Sequence, residues 1–196
     1  EEYVCAAGIS PSGSIHIGNF RDIATSLFVA KAIEKRGKKA RLLFSWDEFD
    51  RFRKVPANVK AIDPDNKMEQ YIGRPYTSVP NPFDTEHENY AKYFEDEFMK
   101  SIKKFGIEMD YRYQTDMYTS GAYRDDIIEA IQKRKEIFDI LDSFRTQDAQ
   151  EGERDAYFPV SIFCPECHKD MTKITSISED GTVAEYECEC GHKGTF

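Results

Sequence analysis

The beginning of the chain constrains the fold most, because it alternates strand, turn and helix patterns. The apolar run Tyr3–Ser10 predicts a buried strand, and Ala40–Trp46 predicts a second one. Between them, apolar side chains recur at helical spacing from about His16 to Arg36, and Gly37 fits a helix C-cap. Strand, helix and strand in so short a stretch form a βαβ unit with parallel strands, which predicts an α/β fold.

The rest of the chain alternates irregular and helical patterns. Residues 47–82 contain five prolines and predict a long, loop-like connection, of a length that is usually functional or mobile. An amphipathic helix is predicted over 86–106, and a short third strand over 110–115. A further helical region, broken near Gly121, is expected over 117–144. The apolar stripe of the 86–106 helix consists of Tyr90, Phe94, Phe98, Ile102 and Phe105.

The turn between the first strand and its helix reads "GISPSGSIHIGNF", Gly8–Phe20. A glycine-bearing turn at a helix start brings backbone N–H groups and a positive helix end to one place, which favours an anion. The turn has neither the G-K-[ST] of a Walker loop nor the G-x-G-x-x-G dinucleotide pattern. His16 can donate to a phosphate oxygen, and Gly18 lets a flat ring lie against the backbone. A purely structural histidine is the alternative.

Acidic side chains follow the second predicted strand, in "SWDEFD". Ligands of open parallel sheets bind at the carboxyl ends of the strands, so Asp47 and Asp50, or Glu48, are expected to face one crevice. A desolvated ammonium group needs such a carboxylate partner. The alternative is that these acids are helix caps.

The cysteines predict a metal site. "CPEC" and, further on, "CEC" carry four thiols in two tight pairs, flanking two alternating runs separated by the turn "EDG". This zinc-ribbon-like β module predicts one structural zinc with four sulfur ligands, in a reducing compartment. The predicted ligands are Cys164, Cys167, Cys188 and Cys190, with His168 or His192 as possible replacements for one of them.

The formal net charge is −9, which disfavours a general nucleic-acid binder. The basic stretch Lys31–Arg41 fits a solvated helix end, whereas Arg51, Arg53 and Lys54 can meet phosphates or pair with neighbouring acids. No apolar run approaches the length of a membrane span, and no signal peptide is visible, so we expect a cytoplasmic protein without membrane contact. The chain opens with Glu1, so we expect its natural N-terminus to lie further upstream.

Several segments together resemble the class I lysyl-tRNA synthetases. His16-Ile17-Gly18-Asn19 is similar to the "HIGH" signature of class I synthetases, with Asn in the fourth position. "SWDEFDRFRKVP", "YIGRPYTSVPNPF", "MYTSGAY" and the cysteine-rich segment follow in the family's order. The resemblance implies a partial Rossmann-like class I synthetase nucleotide fold over 1–155 and a zinc-binding insertion over 156–196. Charged residues dominate 147–155, where we place the boundary.

The resemblance also implies a reaction and its residues. Such enzymes activate L-lysine with ATP, a substrate that carries Mg²⁺, and transfer it to the acceptor end of tRNA(Lys), which the zinc insertion handles. His16 and Asn19 would be catalytic and contact the ATP phosphates. The implied ATP-binding residues are Pro11, Ser12, Gly13, His16, Gly18 and Asn19, and the implied amino-acid-binding residues are Gly8, Ser10, Asp47 and Asp50.

The family's lysine-rich "KMSKS"-like loop and an anticodon-binding region do not occur in the sequence. We therefore expect the N-terminal portion of a larger enzyme, with little ATP–pyrophosphate exchange alone. Some family members carry a second zinc site upstream; the corresponding region offers Asp84 and His87 but no cysteine, so one zinc is expected. The alternatives are a class I synthetase for arginine, glutamate or cysteine, and a non-catalytic RNA- or protein-binding module. The oligomeric state stays open.

Overall fold

The computed structural model describes all 196 residues and divides them into two compact units, Glu1–Ser120 and Gly121–Phe196. The helices that follow Gly121 belong to the compact unit of the cysteine segment. The motif-based division into 1–155 and 156–196 therefore does not coincide with the division by packing, and as a domain assignment it stays a prediction.

The first unit is built on a parallel three-stranded sheet with the order β1-β2-β3. The strands are β1 (Glu2–Ile9), β2 (Lys39–Trp46) and β3 (Asp110–Tyr113), and helix α1 (Ile17–Glu34) connects the first two. Gly37 adopts a φ of 74° just beyond α1. The predicted βαβ unit and the third strand are confirmed.

One face of this sheet carries the core of the unit. Phe44 and Trp46 are fully buried, and the ring of Phe44 stacks on Phe98 of helix α3 (Tyr90–Lys104) with centroids 5.3 Å apart. Leu42 and Ile23 complete the centre of this cluster. Alternate residues of the strands therefore point away from this core, which leaves Gly8 and Ser45 on the other face.

The connection over 47–82 is mostly irregular, as predicted, but it is packed against a hydrophobic cluster of its own. It holds a short helix α2 (Ala57–Lys60) and two 3₁₀ helices, Lys67–Tyr71 and Tyr76–Ser78. A second hydrophobic cluster lies beneath them, in which Phe52 and Val79 are fully buried. The prolines break regular elements, but the aromatic side chains between them still bury enough apolar surface to order the segment.

Helix α3 buries four of the five residues of its predicted stripe, and Phe105 is the exception. Phe105 lies just past the end of the helix and is 71% exposed. Its ring contacts Phe20 with centroids 5.7 Å apart. The helical periodicity ends with the helix, so the stripe does not extend to this position.

The predicted helical region is broken near Gly121, as expected. Helix α4 (Gln114–Thr119) closes the first unit, and Gly121 follows with a φ of 76°. The second unit holds α5 (Arg124–Gln132), α6 (Arg134–Asp142) and α7 (Glu153–Ala156). None of the helices combines the length and the apolar composition that crossing a bilayer requires.

An antiparallel sheet with the order β4-β5-β6 ends the chain. The predicted hairpin is confirmed as β4 (Thr172–Ile177) and β5 (Ala184–Cys188), and β6 (Lys193–Thr195) adds a third strand. The third strand has only three residues, which is too short for an alternating pattern to be recognised.

Candidate active site and metal centre

The turns after β1 and β2 begin side by side. Gly8 pairs with Ser45 and Ile9 with Trp46 in the parallel register, and the N–H of Asp47 donates to the carbonyl of Ile9 at 3.1 Å. The carboxyl ends of the strands therefore meet at one edge of the sheet. In open parallel sheets this edge forms the ligand crevice.

His16 is the N-cap of α1 and is exposed. Its Nδ1 accepts a hydrogen bond from the N–H of Gly18 at 3.1 Å, while Asn19 Oδ1 accepts from the N–H of His16 at 3.4 Å. Because Nδ1 acts as an acceptor, the neutral ring carries its proton on Nε2. The first turn of the helix thus presents an available N–H donor beside its own positive end.

Gly18 is required by the imidazole of His16. A Cβ at Gly18 would lie 2.8 Å from Cε1 and 3.0 Å from Nδ1 of that ring. A side chain here would displace the ring from its capping position. The structure thus supplies a reason for this glycine other than room for a flat ligand ring, and the adenine contact stays a prediction.

Burial and a hydrogen bond from α3 stabilise the turn before His16. Pro11 is buried, and the hydroxyl of Tyr90 donates to the carbonyl of Ser12 at 3.0 Å. Tyr90 is itself fully buried, and burial raises the pKa of its hydroxyl, so it remains a donor. Gly13 lies in the same turn, where a Cβ would meet nothing within 4 Å.

The four predicted amino-acid-binding residues lie together. The hydroxyl of Ser10 donates to Asp50 Oδ2 at 2.7 Å, and that of Ser45 donates to Asp47 Oδ1 at 3.3 Å. A Cβ at Gly8 would lie 3.2 Å from the carbonyl oxygen of Ser45 and 3.5 Å from Asp47 Oδ2, so the absence of a side chain leaves space beside the carboxylate.

The surroundings of the Asp47 carboxyl favour the binding of a cation. Burial raises the pKa of this half-buried carboxyl, and the nearby charge of Asp50 raises it further, whereas the Ser45 hydroxyl opposes the rise. A bound cation would offset both effects and favour the ionised form.

Glu48 does not face the crevice. It is 1% exposed, and its carboxylate accepts hydrogen bonds from the N–H groups of Gln114 at 3.1 Å and Thr115 at 2.9 Å, which begin α4. Of the three acids after β2, Glu48 is therefore the helix cap. The prediction that left it as an alternative crevice acid is wrong, because the helix that it caps lies 66 residues away in the sequence.

Sequence reasoning missed Ser45 and Gln114. The amide Nε2 of Gln114 donates to the hydroxyl of Ser45 at 2.6 Å, directly beside Asp47. The signal was available, because Gln114 immediately follows the third strand and the carboxyl end of a parallel strand marks the crevice.

The four cysteines of the second unit are positioned to hold a metal ion. The Sγ atoms of Cys164 and Cys190 lie 3.7 Å apart, those of Cys167 and Cys188 lie 3.6 Å apart, and all four lie within 4.8 Å of one another. A tetrahedral zinc ion with Zn–S bonds of about 2.3 Å needs sulfur separations of about 3.8 Å. The four sulfurs therefore suit a metal ion without His168 or His192.

Tight turns and backbone N–H groups shape this centre. The N–H of His168 donates to the carbonyl of Cys164, and the N–H of Gly191 donates to that of Cys188. Burial alone would raise the pKa of the Cys164 thiol, but the N–H groups of Cys167 and Glu166 and the thiols of Cys190 and Cys188 together lower the pKa to about 7. Burial raises the pKa of Cys188 to about 12, which a bound metal cation would reverse.

The upstream residues Asp84 and His87 also lie together. The Nδ1 atom of His87 lies 2.9 Å from Asp84 Oδ2, and its Nε2 atom lies 3.3 Å from Asp96 Oδ2. The hydrogen bond to Asp84 raises the pKa of the ring against the effect of burial, and Asp96 raises it further. Both ring nitrogens thus face carboxylates. The expectation of a single zinc stays a prediction.

A parallel βαβ sheet whose first helix begins at an exposed, capping histidine, together with a four-cysteine β module, defines the N-terminal fold of a class I aminoacyl-tRNA synthetase. Comparison with known proteins narrows the class. The family model described as "tRNA synthetases class I (K)" matches residues 1–196, and the chain belongs to this family.

Curated relatives agree with the family. The chain is 42% identical over 192 residues to the lysine–tRNA ligase of Treponema pallidum, covering 98% of this chain and 35% of the relative. It is 38% identical over 220 residues to that of Streptomyces coelicolor, covering 98% and 38%. The Thermococcus kodakarensis ligase is 41% identical over 175 residues, covering 89% and 32%. The chain thus spans about a third of the length of these relatives.

Proposed function

We propose that the natural protein is a lysine–tRNA ligase that forms lysyl-adenylate from L-lysine and ATP and transfers the lysyl group to tRNA(Lys). The observation that carries the proposal is the capping geometry of His16, which commits Nδ1 to the protein and leaves Nε2–H exposed at the positive end of α1. His16 lies in the turn that follows β1 at the carboxyl edge of the sheet, which supports a role in substrate binding there.

In the first step, a carboxylate oxygen of lysine attacks the α-phosphorus of ATP. The bond from that phosphorus to the bridging oxygen of the β-phosphate breaks, and pyrophosphate leaves. His16 Nε2–H, the N–H groups of α1 and Asn19 would stabilise the charge that develops on the phosphates. Bound Mg²⁺ would screen the triphosphate. Pro11, Ser12 and Gly13 would shape the ATP-binding turn, and Gly18 would lie beneath the adenine.

The amino acid would bind next to this turn. Gly8 and Ser10 would contact its polar end, and Asp47 or Asp50 would pair with an ammonium group of lysine. The raised pKa of Asp47 supports this role, because a buried carboxylate without a cation is costly to ionise. The neighbouring Asp50 supplies a second negative charge.

In the second step, a hydroxyl of the terminal tRNA ribose attacks the carbonyl carbon of the adenylate. AMP leaves, and the hydroxyl proton is released. The cysteine module would contact the acceptor end, with one zinc ion held by its four thiolates for folding only. Acidic side chains outnumber basic ones about two to one in 121–196, so this contact would be local rather than a broad electrostatic surface.

The proposed reaction places the protein in the cytoplasm, where tRNA, ATP and reduced thiols occur together. Lysine-dependent ATP–pyrophosphate exchange by the natural protein tests the proposal. His16→Asn keeps an N-cap but removes the imidazole donor, and we expect it to lower exchange by about 100-fold. His87→Asn is the matched control, because it makes the same substitution at a histidine whose ring contacts Asp84 and Asp96 instead of the proposed site.

Three results would contradict the proposal. Exchange that depends on arginine, glutamate or cysteine instead of lysine would support another class I synthetase. A protein that binds RNA but no ATP would support a non-catalytic module. Equal exchange by wild type and His16→Asn would remove the histidine from the mechanism.

A further inference from the structure

We propose that Glu48 and Gln114 are positioning residues for lysine, which act through Ser45 to orient the carboxylate of Asp47. The inference rests on the proposed lysine activation and adds two residues that the sequence motifs do not identify. It follows from a network of hydrogen bonds that starts in the protein interior and ends at the crevice.

Glu48 is the interior end of this hydrogen-bond network. Its carboxylate is 1% exposed and accepts from two successive N–H groups, those of Gln114 and Thr115, at 3.1 and 2.9 Å. Tyr113, which precedes them, contributes no side-chain cap to α4. Two charge-assisted bonds to adjacent N–H groups fix both the position and the rotation of the first turn of α4. The backbone of Gln114 is thereby held against the end of β2.

Asp47 is the outer end of the hydrogen-bond network. Gln114 Nε2 donates to Ser45 Oγ at 2.6 Å, and Ser45 Oγ lies 3.3 Å from Asp47 Oδ1. A hydroxyl has one proton, so the Ser45 hydroxyl, which accepts from the amide, is directed to donate to the carboxylate. The order of donors is therefore fixed from Gln114 to Asp47.

Orientation matters at Asp47 because its surroundings leave it free to turn toward the crevice. Gly8 has no side chain beside Asp47 Oδ2, and Asp50 repels the carboxylate. The bond from Ser45 ties one oxygen, which leaves Oδ2 beside the space at Gly8. Loss of these hydrogen bonds is therefore expected to weaken lysine binding while leaving the nucleotide turn intact.

The test measures KM for lysine and KM for ATP in lysine-dependent exchange by the natural protein, together with thermal stability. Gln114→Ala is expected to raise KM for lysine about fivefold, and Glu48→Gln about tenfold, with KM for ATP unchanged in both. The double variant is expected to match Glu48→Gln alone, because both substitutions disrupt the same hydrogen-bond network.

Asp63→Asn is the matched control. Asp63 is also a buried carboxylate that accepts from two successive N–H groups at the start of a helical element, those of Lys67 and Met68 of the 3₁₀ helix Lys67–Tyr71. It has no link to Ser45. It should lose thermal stability as Glu48→Gln does and keep both KM values. Gln114→Ala decides the matter if Glu48→Gln does not fold, because Gln114 is only half-buried.

The outcomes separate this inference from the proposed function. A wild-type protein without lysine-dependent exchange overturns the proposed function and the inference with it. Normal wild-type exchange with an unchanged KM for lysine in Gln114→Ala overturns the inference alone. Parallel increases in both KM values, or a lysine effect in Asp63→Asn, would assign these residues to folding and also overturn it.

Discussion

The start of α1 and the four-cysteine centre use their reactive side chains in opposite ways. His16 commits one ring nitrogen to the protein and exposes the other, whereas the four cysteine sulfurs all face one another. A closed ligand set suits a structural metal, and an open donor suits a ligand that comes and goes. The number of side-chain atoms already satisfied within the protein thus distinguishes a site for folding from a site for a reaction.

The largest test of this comparison is removal of the metal ligands. Structural zinc contributes roughly 10–16 kcal/mol of apparent free energy, which matches or exceeds the total stability of about 5–15 kcal/mol of a small domain. We therefore expect Cys164→Ser, or chelation, to collapse the amide NMR resonances of residues 121–196.

Zinc content and the NMR spectrum of the variant provide the measurement. Cys5→Ala is the control, since Cys5 is buried in the core of the first unit and should leave the bound metal unchanged. A second unit that keeps its native spectrum in the presence of chelator would show that the centre does not hold the fold.

The next effect is expected at Gly18. A Cβ there would lie 2.8 Å from the His16 ring, so Gly18→Ala should displace the imidazole and lower exchange by about tenfold or more. Thermal stability should change little, because alanine favours the helix.

Asp22→Ala is the matched control, because it also places an alanine on α1, at an exposed position outside the proposed site. Steady-state exchange kinetics of both variants make the comparison. Equal activities of the two variants would mean that the position of the imidazole is unimportant.

A smaller effect is expected at Tyr90. Tyr90→Phe removes the hydrogen bond to the Ser12 carbonyl while keeping the buried ring, and one such bond is worth about 1 kcal/mol, or about fivefold. KM for ATP should rise by that factor, and KM for lysine should stay constant.

Tyr93→Phe, on the same helix, controls for the loss of a hydroxyl. An unchanged KM for ATP in Tyr90→Phe would mean that the turn keeps its shape without this anchor.

The smallest effect concerns His87, whose two ring nitrogens are both used within the protein, unlike those of His16. Because Asp84 and Asp96 raise the pKa of His87 above 6.5, its contribution to stability is complete below pH 6.5 and is lost as the pH rises through the folded-state pKa. The thermal midpoint of the wild type should therefore fall between pH 6 and 9 by a few degrees more than that of His87→Gln. Identical pH dependence of the two proteins would exclude the ion pairs as a source of stability.

The sequence predicted those features that depend on local pattern. The βαβ unit follows from apolar spacing between Tyr3 and Trp46, and the cysteine hairpin follows from paired thiols around a turn. The packing of 47–89 was missed, because prolines hide the regular periodicity while aromatic residues such as Phe52 still build a core.

Long-range contacts were the other limit. Glu48 caps a helix that begins at Gln114, and no local rule links positions so far apart. The packing boundary at Ser120 likewise depends on which helices contact each other, whereas the charged segment 147–155 is a local feature of composition. Local chemistry is thus readable from the sequence, and its supporting contacts require the fold.

The most direct test of the central claim follows the His16 ring by ¹⁵N NMR during an ATP titration. In the structure Nδ1 accepts from the N–H of Gly18, and the proposed role predicts that ATP shifts the Nε2 resonance more than that of Nδ1. A ring protonated on Nδ1, or two resonances that do not respond to ATP, would contradict the claim that this helix start holds the triphosphate.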